Sequence, residues 1–172
     1  MVTEDGAFTA PGHRLVLAAG SSVLRTSMSS RWSASSAEAA ATAQVTLPAA
    51  ASADEATLLL NWLYTGALSL PRAFVTTAAR LLQVAHELQI APLVSVCEAR
   101  LAKAAADEEN APSLEGLLDL AESLELDKLG AEVSRAILSG SDDELQQRVL
   151  AAWSNSNDEK WKEIRDGTRR TW

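Results

Sequence analysis

FTAPGHRLVLAAGSSVLR, residues 8–25, and LLLNWLYTG, residues 58–66, decide how this chain is read. In the first, Phe8-Thr9-Ala10 reads as a short strand, and Pro11-Gly12 marks a turn because proline presets its own φ and glycine bends cheaply. Leu15-Val16-Leu17-Ala18-Ala19 then gives an apolar helical segment, which residues 21–30 continue with Val23, Leu24 and Met28 on one side. In the second, leucines and Trp62 recur at helical spacing until Gly66, a residue that takes a left-handed conformation cheaply and ends the helix.

Working outward, Glu4-Asp5-Gly6 predicts a hairpin turn, with only Val2 and Thr3 before it to serve as a strand. Phe8 is therefore expected in an edge strand whose neighbour is missing or reduced to a stub. Residues 31–43 are rich in serine and alanine and read as a mobile loop holding Trp32. Gln44-Val45-Thr46-Leu47, closed by Pro48, predicts a strand. Ser52-Ala53-Asp54-Glu55 is a capping box that opens the helix carrying Leu58, Leu59, Trp62 and Leu63. Leu81, Leu82, Ala85 and Leu88 form the stripe of the next helix. Leu93, Val96, Cys97 and Leu101 form another, with Pro92 in its first turn. Leu17, Leu58, Leu59, Leu63, Leu82 and Cys97 are expected in one core.

Residues 104–113, AAADEENAPS, are a charged break containing a proline, and the domain boundary is placed there. Beyond it, Leu114, Leu117, Leu118, Ala121 and Leu124 define one helix, and Leu129, Val133, Ala136 and Ile137 a second. Ser141-Asp142-Asp143-Glu144 caps a third, with Leu145, Val149, Ala152 and Trp153. The organisation is thus 1–106, 107–153 and a polar tail 154–172 that includes Trp161 and Trp172.

The charge of −8 over 172 residues is placed unevenly: residues 1–106 hold seven acidic and seven basic side chains, and residues 107–172 hold sixteen against eight. Neither part clusters the lysines and arginines that phosphate contacts need, so nucleic acid is not an expected partner. No apolar run approaches about 18 residues, so no membrane span is expected. The single cysteine, Cys97, allows no internal disulfide and suits a reducing compartment, cytoplasmic or nuclear. His13 and His86 are the only histidines, and both read as structural. No serine sits in a nucleophile elbow, and no phosphate-binding or dinucleotide loop is present. The many carboxylates after residue 107 fall on polar helix faces and at caps. No catalytic constellation, metal site or cofactor is expected.

The two opening stretches resemble the signature of the BTB/POZ domain over roughly the first hundred residues. The matching residues are Phe8, Ala10, His13, Arg14, Leu17, Ala18, Ala19, Ser21, Val23, Arg25, Tyr64, Thr65 and Gly66. Pro11-Gly12 is inserted relative to that pattern, Leu24 stands where an aromatic is usual, and the usual first strand is missing. The helices after the break are similar to the pair that follows the BTB domain in MATH-BTB ubiquitin-ligase adaptors and to the opening of a BACK domain. The resemblance implies an α+β fold, a small sheet containing Phe8 and Val45 flanked by a helical cluster, followed by an all-helical extension.

It also implies a protein–protein interaction module and not an enzyme. The expected role is an adaptor that brings a substrate protein to a cullin-based ubiquitin ligase; the alternative is an oligomerisation scaffold that binds no cullin. By resemblance, the cullin contact falls on Met28, Trp32, Tyr64, Leu114 and Leu117. The hydrophobic-x-Glu motif that often serves such adaptors has its nearest counterpart in Ser36-Ala37-Glu38. A weak homodimer is expected through Leu15, Val16, Ala19 and Val23.

Overall fold

A computed structural model of the chain describes residues 1–3, 6, 8–32, 45–48, 51–70, 74–106, 113–140 and 142–155. Eight helices lie among the described residues: α1 (Arg14–Gly20), α2 (Ser22–Trp32), α3 (Ala53–Thr65), α4 (Val75–Glu87), α5 (Ala91–Ala105), α6 (Leu114–Ser123), α7 (Asp127–Ser139) and α8 (Asp143–Asn155). The chain divides into two compact units, Met1–Cys97 and Glu98–Trp172.

The α+β expectation is corrected. No strand forms among the described residues; two isolated bridges, Val2 with Thr9 and Val2 with Thr46, stand where a small sheet was expected. The reason lies in length. Val2 donates to the Val45 carbonyl at 2.9 Å and accepts from the Leu47 N–H at 2.9 Å. On the other side Thr3 donates to the Phe8 carbonyl at 3.1 Å, and Ala10 to that of Met1 at 3.0 Å. Among the described residues each paired piece runs for only two or three residues, below the length at which a ladder propagates. Phe8 is half-buried and paired with this stub, and Val2, Val45 and Leu47 are buried. The turn expected at Glu4-Asp5-Gly6 falls largely outside the described residues.

The helix expected to run through residue 21 is broken there. Ser21 is extended (φ −147°, ψ 128°) and buried, and its hydroxyl performs two tasks. It accepts the Leu24 N–H at 3.1 Å, capping α2, and donates to the Leu88 carbonyl at 2.6 Å, tying the break to the end of α4. Ser22 extends the tie by donating to the Gln89 side chain at 2.6 Å. Ser21→Ala leaves a buried donor and a buried acceptor without this partner, so a loss of about 1–3 kcal/mol is expected by chemical denaturation. Arg25 holds α2 to α1 by donating from Nε to the Ala18 carbonyl at 2.9 Å. α1 also packs against α3, and Gly20 makes that approach possible, since a Cβ there would collide with Cδ2 of Leu63.

α3 begins and ends as its sequence dictates. The Glu55 carboxylate accepts the Ser52 N–H at 3.0 Å, and Gly66 closes the helix in the left-handed region (φ 67°) by donating to the Trp62 carbonyl at 2.8 Å. Glu55, Ala56 and Leu59 are its buried face. Leu58, Trp62 and Leu63 are only half-buried, which narrows the core expected of α3. Leu17, Leu82 and Cys97 are buried, as are Leu81, Ala85, Leu88, Leu93 and Leu101.

In the second unit Glu98 accepts the Leu129 N–H at 3.1 Å, fastening the later part of α5 to the start of α7. α6 and α7 form an antiparallel pair joined by a short turn and bury Leu117, Leu118, Leu120, Ala121, Leu129, Val133 and Ile137. α8 packs on α7 and is capped by Asp142, whose carboxylate accepts the Leu145 N–H at 3.1 Å; Ser141 of the expected box lies outside the described residues. No described helix is long and apolar enough to cross a membrane.

Candidate interaction surface

Three large apolar side chains are conspicuously exposed among the described residues: Leu15 (78%), Leu150 (52%) and Tyr64 (44%). Two of them lie in the first unit, on the two stretches that opened the sequence reading. His13 and Tyr64 lock those stretches together. The His13 N–H donates to the Tyr64 hydroxyl at 2.6 Å, and Nδ1 of His13 lies 2.9 Å from the same oxygen. A hydroxyl that accepts the N–H still has its own proton to offer Nδ1. The rings meet edge to face, centroids 5.7 Å apart and planes at 62°. The lock fixes the start of α1 against the end of α3, and so fixes where Leu15 stands.

Of the residues expected to share one apolar helix face, Leu15, Val16 and Ala19 lie on α1 and Val23 lies on α2, past the break at Ser21. Leu15 and Ala19 are exposed, and Val16 and Val23 are half-buried. Leu17, on the opposite side, is buried and carries the packing.

The residues expected at a cullin contact are placed differently from one another. Tyr64 is exposed, with its hydroxyl engaged by His13. Met28 is buried, at 3% exposure, and sits with buried Leu24 one turn away on the inner side of α2. Trp32 ends α2, so Arg31 and Trp32 are helical and not loop; the rest of 31–43, including Ser36-Ala37-Glu38, lies outside the described residues. In the second unit Leu114 is half-buried and Leu117 is buried. Trp161 and Trp172 also lie outside the described residues.

One polar cluster escaped the sequence reading. Arg148 on α8 reaches Asp119 in a direct ion pair, with Glu115 and Glu122 each at 3.5 Å. The hydrogen bond to Asp119 and that carboxylate's charge, with lesser help from Glu122 and Glu115, raise the guanidinium pKa above its ordinary value. On the sequence these carboxylates read as a solvated face. They are solvated, but a cation 29 residues further along the chain, two helices on, closes on them, and nothing local announces it. No group of three or more histidine, cysteine, aspartate and glutamate side chains among the described residues could hold a metal ion.

A family model for the BTB/POZ domain matches residues 2–105, more than half of the chain. No curated protein matches it.

Proposed function

The chain belongs to the BTB/POZ domain family, and on that premise we propose that it is an adaptor which presents a substrate protein to a cullin-based ubiquitin ligase, in the cytoplasm or nucleus, while pairing weakly with a second copy of itself. A BTB/POZ domain is a protein–protein interaction module, so the chain acts by binding. The observation that carries the reading is the exposed apolar strip of α1. Leu15 stands 78% exposed beside the His13–Tyr64 lock. An apolar side chain displayed on a fixed helix supports a contact surface.

The helical hairpin α6–α7 supports the adaptor half of the reading, because such adaptors carry a helical pair after the BTB domain. In this reading Tyr64 and Trp32 in the first unit and Leu114 in the second serve the cullin contact, and Met28 and Leu117, being buried, serve it only through packing within their own units. Residues 107–153 then serve as a BACK-like extension. A second reading, a self-associating scaffold without cullin, is favoured by one residue: Ser36 occupies the place where the hydrophobic-x-Glu motif needs an apolar side chain. A pull-down of purified cullin N-terminal domains by the full chain tests the choice. Capture that is lost in Tyr64→Ala is expected of the adaptor. Absence of capture by every cullin tried, with self-association intact, leaves the scaffold.

A further inference from the structure

We draw no further inference here: the strongest candidate, the cavity of about 260 Å³ between the end of α5, the start of α6 and the later half of α7, lined among others by Leu114, Arg135 and Ser139, runs up to Ala106, where the described residues break off, and nothing among the described residues shows what covers it.

Discussion

Leu59→Ala is expected to lower the stability of the first unit by about 2–5 kcal/mol. Leu59 is fully buried on the inner face of α3, in line with Ala56 and Glu55, which are also buried. Truncating it removes apolar area from the centre of the core and leaves a cavity that the surrounding helices close only in part. Its neighbour Leu58 is half-buried and gives the control: Leu58→Ala is expected to cost distinctly less, because part of its side chain is in water in both states. Urea unfolding followed by circular dichroism measures both. Equal losses for the two variants would mean that the buried face of α3 is wrongly assigned.

The second large effect is on assembly. Leu15→Asp places a carboxylate at the most exposed large apolar side chain among the described residues. In a lone chain the change touches little, and its effect on unfolding is expected to stay within about 0.5 kcal/mol. In a symmetric pair the same position is met twice, once from each copy. A charge buried there without a partner removes a central contact and adds a desolvation cost, so self-association is expected to weaken roughly thirtyfold or more. Val16→Asp is a poorer test, because Val16 is half-buried and its replacement also disturbs folding.

The helices were legible wherever a stop or a start was written in local chemistry. Ser52 with Glu55 and then Gly66 bracket α3 on the sequence as they do in the fold. The stripe Leu81, Leu82, Ala85 and Leu88 needed only its period to be placed inside. The break at Ser21 was not legible, because a serine that caps a helix from a buried bend and a serine within a helix look alike without the carbonyl of Leu88 to receive its proton. The strands at Phe8-Thr9-Ala10 and Gln44-Val45-Thr46-Leu47 were read from local composition and the sheet from the resemblance, but among the described residues these segments form only isolated bridges. Met28 and Leu117 show the same hazard at the surface. The resemblance marked them as contacts, whereas their own spacing, Met28 four residues after Leu24 and Leu117 four before Ala121, already pointed inward. Leu15 and Tyr64 were marked as contacts by the same resemblance, and both are exposed. The carboxylates facing Arg148 were visible as residues, but their meeting with a cation on a later helix is a property of packing alone.

The central claim is that the exposed strip of α1 is a contact surface and that a second copy of the chain is one of its occupants. Sedimentation velocity over a dilution series, on wild type and Leu15→Asp side by side, tests it most directly. The account predicts a wild-type dimer that gives way to monomer on dilution, and a Leu15→Asp variant that is monomeric at concentrations where wild type still pairs. A wild-type chain that stays monomeric at the highest concentration, or a dimer that Leu15→Asp leaves intact, would contradict it.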